Sequence, residues 1–331
     1  MAKQITYTLN EKHTWASNTT TSISLPEDGY ITHLDCIVKA YVTVGGTAAV
    51  KEDPFHRLVK SMRIKASGKT YADFSDGRQW KFYSYPQYRG QLYEDVIPGS
   101  LTAAAYYRCH MPLHLGVNPS DKYDPSVVIP GVKLQDLKME VSWGATTDIG
   151  ADHATAFAAE MQIQVYQLNL APSESEADIW PNGLLSPRIE PVIYSSMAAY
   201  SNLGFSHNLP VGDTLYRVSI LSLDSSDVRT DTNVTALGFK LPKYRETPID
   251  RAWYHQLYHD RVLHDFHQPI SDGYGKVVLG SGNGVAFFYG SEISGRDMGL
   301  DLTRAVTGDA QINATIGTSG GAMHFLHVMY Q

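Results

Sequence analysis

The sequence is poor in charged side chains. Asp, Glu, Lys and Arg make up 18% of its 331 residues, against roughly 25% in an average soluble domain. Its 21 tyrosines combine apolar area with a polar tip, which is common where protein surfaces meet. Little charge and much tyrosine favour a chain whose surface is covered by other subunits over a free monomer.

Positive charge is scarcer still. The net charge is −7 and the isoelectric point is near 6.0, and the opening stretch MAKQITYTLNEKH contains no Arg/Lys-rich arm. Proteins that bind nucleic acid through its phosphates need clustered Lys and Arg. We therefore expect no direct nucleic-acid binding.

Long apolar runs and paired cysteines are also lacking. No stretch reaches the roughly 18 consecutive apolar residues of a membrane-spanning helix, and no signal-peptide pattern is present. We predict neither a membrane span nor secretion by that route. Cys36 and Cys109 lie in apolar, strand-like runs without the spacing of a metal motif. We interpret them as buried thiols in a reducing compartment rather than as a disulfide.

What the sequence does contain is a repeat. Residues 72–89 and 247–261 both carry the pattern Arg-x-Trp-x4-Tyr. In both halves a Leu-Pro pair precedes this motif, and a strand-like run ending in Tyr-Gln follows it. The repeated residues are Arg78, Trp80, Tyr85, Arg251, Trp253 and Tyr258 in the motif, Leu25, Pro26, Leu209 and Pro210 before it, and Tyr166, Gln167, Tyr330 and Gln331 after it. A repeat of this size predicts two copies of one structural unit.

The domain limits follow from the repeat. A chain of 331 residues suits two domains of about 150 residues each. Residues 172–189 are rich in Pro and acidic side chains and interrupt the strand-like pattern. We therefore predict a first domain at 1–171, a linker at 172–189 and a second domain at 190–331.

Most of each copy has the pattern of β-strands. Runs such as 31–44 and 215–223 keep β-branched and apolar residues at alternate positions, with Pro, Asn, Asp and Gly turns between them. About eight strands precede residue 171, as in a sandwich built from two Greek keys. Residues 1–20 have the pattern of an extended arm. The predicted fold is all-β: two consecutive eight-stranded jelly-roll β-sandwiches (a double jelly roll), each with a short inserted helix.

The inserted helices are predicted from the repeated motif. Residues 247–250 (TPID) have the residue types of a helix N-terminus: a Thr cap, a Pro at the first helical position and an Asp three residues after the cap. In the first copy Asp73 and Asp76 show the same carboxylate spacing, and Pro86 ends the helix. We interpret Trp80 and Trp253 as core residues between helix and sandwich, with interface anchors as the alternative.

The densest group of candidate metal ligands is rich in histidine: it contains His255, His259, His264 and His267, with Asp260 and Asp265 between them. His255 and His259 are four residues apart and would share one helix face, where two imidazoles can reach one metal ion. The sequence specifies no third ligand, and it lacks the Glu that follows the first His of the zinc-protease motif. We interpret both as helix-surface or subunit-contact imidazoles and keep a metal site as the weaker alternative.

Patterns typical of enzymes are not found. The adjacent carboxylates Glu94 and Asp95 lie at a loop end, where solvated acidic side chains are ordinary. A glycosidase would need two carboxylates held about 5–10 Å apart in a cleft. We predict no enzymatic activity and no cofactor.

Four features together carry a resemblance to a known family. They are the two consecutive β units, the doubled Arg-x-Trp-x4-Tyr motif, the doubled Leu-Pro pair and the paired closing strands. The sequence resembles the double jelly-roll major capsid proteins of tailless icosahedral viruses, the lineage of adenovirus hexon and of the membrane-containing phage and archaeal virus capsids. The resemblance covers essentially the whole chain, and it is architectural.

The resemblance implies a shell subunit of the virion that is made in the host cytoplasm. Three chains would form a homotrimer, a pseudo-hexameric capsomer of six jelly rolls, and such capsomers would tile an icosahedral capsid. Its implied partners are neighbouring trimers, penton or minor capsid proteins and an internal membrane. The short N-terminal segment has no amphipathic or basic helix, which leaves membrane contact open. The alternative functions are a β-sandwich binding module, lectin-like or receptor-binding in a virion, and, third, a carbohydrate hydrolase.

Overall fold

The apolar–polar alternation of the sequence becomes strands with one buried face. Along residues 157–169, Met161, Ile163 and Val165 are buried, whereas Gln162 and Gln164 between them are exposed. The computed structural model describes residues 3–42, 50–88, 92–95, 97, 105–118, 120–150, 157–244, 246–264, 270–271, 277–279, 284–295 and 299–331. The chain divides into two compact units, Met1–Pro187 with Pro269–Gly280 and Arg188–Gln268 with Ser281–Gln331.

Among the described residues up to Pro187, the first unit has nine strands and three short α-helices. The strands are β1 (Lys3–Thr14), β2 (Thr20–Ser24), β3 (Tyr30–Val42), β4 (Val59–Ala66), β5 (Lys69–Phe74), β6 (Ala105–His114), β7 (Ile129–Pro130), β8 (Lys138–Trp143) and β9 (Phe157–Asn169). The helices are α1 (Pro54–Leu58), α2 (Gly77–Ser84) and α3 (Glu176–Ile179), and Gly131–Lys133 and Thr146–Asp148 form 3₁₀ turns.

Eight of these strands form a jelly roll. One sheet has the order β1-β9-β3-β6, and the order β5-β4-β8-β2 makes the facing layer. Neighbouring strands are antiparallel throughout. Numbered along the chain, the first, third, sixth and last strands share one layer and the remaining four share the other, which is the connectivity of two Greek keys.

The extended arm predicted at residues 1–20 is wrong for most of its length. Residues 3–14 form β1, which pairs with β9 and places Ile5 opposite Gln167 and Tyr7 opposite Val165. The partner strand lies at the far end of the unit in sequence, so local pattern alone does not reveal it.

The segment predicted as a linker packs on the first unit. Trp180 shares a buried cluster with Tyr30, Val128 and Leu168. Its indole N–H donates a 2.5 Å hydrogen bond to the carbonyl of Pro125. The first unit accordingly extends to Pro187.

The second unit repeats the same plan. Its strands are β10 (Pro187–Tyr194), β11 (Tyr200–Asn208), β12 (Thr214–Leu223), β13 (Val234–Leu241) and β14 (Glu246–Ala252), and then, after a short ladder of β15 (Ile270–Ser271) and β16 (Val277–Leu279) that belongs to the first unit, β17 (Val285–Tyr289), β18 (Leu300–Asp301), β19 (Gln311–Ile316) and β20 (Ala322–Tyr330). The helices are α4 (Trp253–His264) and α5 (Gly290–Ser294), and Pro242–Tyr244 forms a 3₁₀ turn. The strand orders β10-β20-β12-β17 and β11-β19-β13-β14 match those of the first unit strand for strand. The predicted double jelly roll is confirmed.

The helix start predicted at residues 247–250 is wrong. These residues belong to β14, which pairs with β13 and places Ile249 opposite Phe239 and Asp250 opposite Gly238. The helix begins at Trp253, directly after the strand. In the first unit the helix starts after Asp76, and Asp73 lies in β5.

Candidate functional site

The repeated motif lies at the same topological place in both jelly rolls, the helix that follows the fifth strand. In the first unit α2 follows β5 and packs against β4 and β6. In the second unit α4 follows β14 and packs against β13 and β17. These supporting strands are equivalent pairs, so the two helices can be compared position by position.

Arg78 and Trp80 hold α2 in place. Arg78 interacts at the N-terminus of the helix, and Trp80 bonds the helix to the sheet. Asp76 accepts the backbone N–H of Arg78 at 2.8 Å, and the Gln79 side chain accepts the N–H of Asp76 at 3.3 Å, which makes a capping box. The Arg78 guanidinium turns back onto the same Asp76 carboxylate at 2.6 Å. The buried indole of Trp80 donates to the carbonyl of Pro112 in β6 at 2.9 Å.

Trp253 and two polar side chains fasten α4. Trp253 is buried in the core of the second unit, and its indole N–H donates to Asp231 at 3.1 Å. Gln256 Nε2 donates to the carbonyl of Phe287 in β17 at 2.8 Å, and Asp260 accepts the N–H of Phe287 at 3.0 Å. Burial raises the pKa of Asp260. The inner face of α4 is therefore tied to β17.

The outer face of α4 carries large apolar side chains. Tyr254, Tyr258 and Val262 are 68%, 71% and 66% exposed. Their i, i+4, i+8 spacing places them on one side of the helix. We call these three residues the α4 stripe.

The first unit buries the corresponding helix face. Every residue of α2 is buried. With Trp80 and Trp253 aligned, the stripe residues Tyr254 and Tyr258 correspond to Lys81 and Tyr85, which are both buried. Tyr254 is thus exposed in the second unit, whereas Lys81 at the equivalent position of the first unit is buried.

The cover over Lys81 comes from its own unit. Its Nζ donates to Asp53, next to α1, at 2.6 Å and to Glu94, in the segment between α2 and β6, at 2.9 Å. The equivalent connection in the second unit, residues 224–233 between β12 and β13, has no helix among its residues, all of which the structure describes.

Of the three positions of the motif, two differ in environment between the copies. The tryptophans are buried in both. Arg251 lies in β14 and approaches Glu292 at 3.5 Å, whereas the aligned Arg78 lies in the first turn of α2 and pairs with the N-cap residue Asp76. Tyr85 is buried and Tyr258 is exposed. The motif therefore marks equivalent places in the fold, but only its Trp has the same packing role twice.

The histidines singled out in the sequence lie on α4. His255 is exposed, and His259 Nδ1 lies 3.4 Å from Asp260 Oδ1, a contact that raises the pKa of His259. Within the ranges that the structure describes, neither belongs to a set of three metal-ligating groups. His267, the last His of that cluster, lies outside the described residues.

The α4 stripe is not among the features predicted from the sequence. The prediction for this helix concerns Trp253 on its inner side, whereas α4 has aromatic residues on both sides. The signal was available as an apolar residue at every fourth position from Tyr254 to Val262. What the sequence could not supply is which face packs on β17.

Two further features concern the cysteines and the membrane. Cys36 and Cys109 are free and buried, as predicted. No helix among the described residues is long and apolar enough to cross a membrane.

Comparison with known proteins finds similarity in structure alone. No protein-family model matches the sequence, and a search of curated proteins finds no match. The major capsid protein of Sulfolobus turreted icosahedral virus superposes with a TM-score of 0.78 at 16% identity, over 99% of this chain and 96% of that chain. A chain of the PBCV-1 virus capsid gives 0.63 at 12% identity, over 100% and 94%. The major capsid protein P2 of bacteriophage PM2 gives 0.53 at 13% identity, over 99% and 97%. The chain therefore has the double jelly-roll fold of these major capsid proteins.

Proposed function

We propose that this chain is a viral major capsid protein, a structural subunit of an icosahedral shell. The observation that carries the proposal is the tandem of two equivalent jelly rolls, matched over nearly the full length of both chains by the capsid protein of Sulfolobus turreted icosahedral virus. The proposed role is structural and not catalytic. Its proposed place is the virion, after synthesis in the host cytoplasm.

The repeat suggests how the subunits would assemble. A chain with two equivalent jelly rolls can fill a near-hexagonal tile when three copies surround a threefold axis, because closed cyclic symmetry then places six similar units in a ring. We propose this homotrimer as the capsomer, with jelly rolls at 1–171 and 190–331 and with the connection 172–189 packed on the first of them. Neighbouring trimers, penton or minor capsid proteins and an internal membrane are the further proposed partners.

The α4 stripe is the proposed contact with a second copy of this chain. In the first unit, Asp53 and Glu94 of the same unit cover the equivalent face of α2. By analogy, the exposed face of α4 would be covered by a residue set from another chain. Two tyrosines and a valine would bury apolar area with little loss of side-chain freedom. The low charge content of the chain, 18%, supports coverage by other copies.

The test is the mass of the purified protein in solution by light scattering, followed by negative-stain imaging. A particle of three 36.6 kDa chains with a hexagonal outline, or shells of such particles, is the expected result. A stable monomer at all concentrations would contradict the proposal. It would favour the second candidate, a binding module that uses the α4 stripe for another ligand.

A further inference from the structure

A second cluster of interest lies inside the first jelly roll. His56 of α1, Glu94 before β6 and Cys109 of β6 are all buried, and one ligand atom from each lies within 4.8 Å of the others. The Cys109 Sγ is 3.9 Å from each ring nitrogen of His56. The Nδ1 of His56 is 3.9 Å from the Oε1 of Glu94.

These three groups form a ligand set suited to zinc. Imidazole nitrogen, thiolate sulfur and carboxylate oxygen are the atoms that bind Zn²⁺ in proteins. Ligand atoms around a tetrahedral zinc ion lie about 3.3–3.6 Å apart, given bonds of about 2.0–2.3 Å. The two separations of 3.9 Å from His56 need to shorten by only a few tenths of an ångström, together with a turn of the imidazole ring. The separation between Cys109 and Glu94, which is within 4.8 Å, needs to shorten by at most about 1.5 Å to reach the spacing of tetrahedral ligands.

The backbone holds two of the ligands together. Glu94 and Cys109 form an antiparallel bridge. The N–H of Asp95 donates to the carbonyl of Arg108 at 2.8 Å, and the N–H of His110 donates to the carbonyl of Tyr93 at 2.8 Å. Glu94 is thus fixed beside Cys109 although the two are distant in sequence.

A lysine orients the carboxylate. The Oε2 of Glu94 accepts from Lys81 Nζ at 2.9 Å, and its Oε1 is the atom that faces His56. A metal-ligating carboxylate is commonly held in this way by a second hydrogen-bonding group. Lys81 also binds Asp53 at 2.6 Å, so the lysine and both carboxylates are at least nine-tenths buried side by side.

Metal binding at Cys109 is coupled to proton release, because the thiolate is the form that binds a metal ion. Burial, and then the charge of Glu94, raises the pKa of the Cys109 thiol well above its usual value. The metal ion must therefore displace this proton on binding.

We propose that His56, Glu94 and Cys109 bind one zinc ion that joins α1 and β6 across the face of α2. A fourth position is left for water. The inference does not depend on the proposed capsid function, since it concerns the interior of the first jelly roll.

The test uses Co²⁺ as a spectroscopic substitute for zinc in the full-length, chelator-stripped protein. We expect one equivalent of Co²⁺ to produce a thiolate-to-cobalt charge-transfer band that Zn²⁺ abolishes by displacement. Cys109→Ser should remove the band and weaken metal binding by about 100-fold. Cys36→Ser is the matched control, because Cys36 is equally buried, and it should keep both.

Other outcomes decide against the site. A folded wild-type protein without the band, or wild-type affinity in Cys109→Ser, would overturn the proposal. Circular dichroism checks that each variant is folded. If Cys109→Ser fails to fold, Glu94→Gln takes its place. It should keep the thiolate band and weaken binding by at least about tenfold, the lower end of the effect of losing a group that only supports a ligand, and unchanged affinity would count against the site.

Discussion

The Nε2 atoms of His207 and His327 lie 2.8 Å apart inside the second jelly roll, although His207 is on β11 and His327 on β20, strands of different sheets. At this distance one imidazole must donate and the other accept. The Tyr194 hydroxyl lies 3.0 Å from Nδ1 of His207, and His327 also bonds to the backbone of Glu190. The pair thus links the two sheets as a neutral, fully bonded chain.

Acid should weaken this link. Burial lowers the pKa of His207 to about 4, and burial together with the charges of His207 and Arg188 lowers that of His327 to about 3. Unfolded His titrates near 6.5, so stability is greatest above that pH and falls as the pH drops towards the folded pKa values. For His207 alone the loss by pH 4 is on the order of 3 kcal/mol.

Urea unfolding at pH 7 and pH 4.5 measures this effect. His327→Gln should show a smaller loss between the two pH values than the wild type, because one of the two buried imidazoles is gone. The exposed His255 supplies the control, His255→Gln, which should keep the wild-type loss. An equal loss in all three proteins would show that the pair does not control the acid response.

Removal of the Trp253 side chain should destabilise the second unit. Trp253→Ala leaves a large cavity in the core and should lower the free energy of unfolding by about 3–5 kcal/mol. Trp253→Phe keeps most of the packing and loses the hydrogen bond to Asp231, so it should cost less, about 1–2 kcal/mol. Thermal and urea unfolding provide the values. A Trp253→Ala variant as stable as the wild type would contradict this packing role.

The α4 stripe can be tested with a matched pair of valines. Val262 and Val306 are 66% and 65% exposed, and only Val262 lies in the stripe. Val262→Lys should lower the apparent association constant between chains at least about tenfold, because a charge would have to be desolvated at the contact. Val306→Lys should assemble as the wild type does. Equal assembly of the two variants, measured by light scattering, would remove the stripe from the proposed interface.

Asp76 at the start of α2 serves both as a helix cap and as an ion-pair partner, and two substitutions distinguish these roles. Asp76→Asn keeps an acceptor for the Arg78 N–H and loses the charge opposite the buried guanidinium, whereas Asp76→Ala loses both. We expect Asp76→Ala to cost about 2–4 kcal/mol and to exceed the cost of Asp76→Asn by about 1 kcal/mol, the usual worth of a cap. Urea unfolding of both variants gives the comparison, and equal costs would mean that the cap contributes nothing.

The architecture could be predicted from the sequence because the pattern of one jelly roll occurs in it twice. Local structure can be predicted from strand alternation and turn residues, and its repetition from the doubled Arg-x-Trp-x4-Tyr motif. Neither prediction needs any knowledge of tertiary contacts. The double jelly roll and the burial of both tryptophans followed from them.

The errors arose where a distant partner outweighed a local signal. The capping signature at 247–250 is worth about 1 kcal/mol, whereas the same residues gain a strand ladder with β13 and the burial of Ile249. Residues 3–14 have the pattern of an arm until β9 supplies their hydrogen-bond partners. Long-range pairing decides such segments, as it commonly does in β-proteins.

The candidate sites divide in the same way. The sequence by itself determined the repeated unit and its inserted helices, since those depend on residue order. Only the tertiary structure decided that α4 turns two tyrosines outward, that His56, Glu94 and Cys109 meet in the interior, and that His207 bonds to His327. Each of these depends on which strands become neighbours, and a jelly roll joins strands from opposite ends of its sequence.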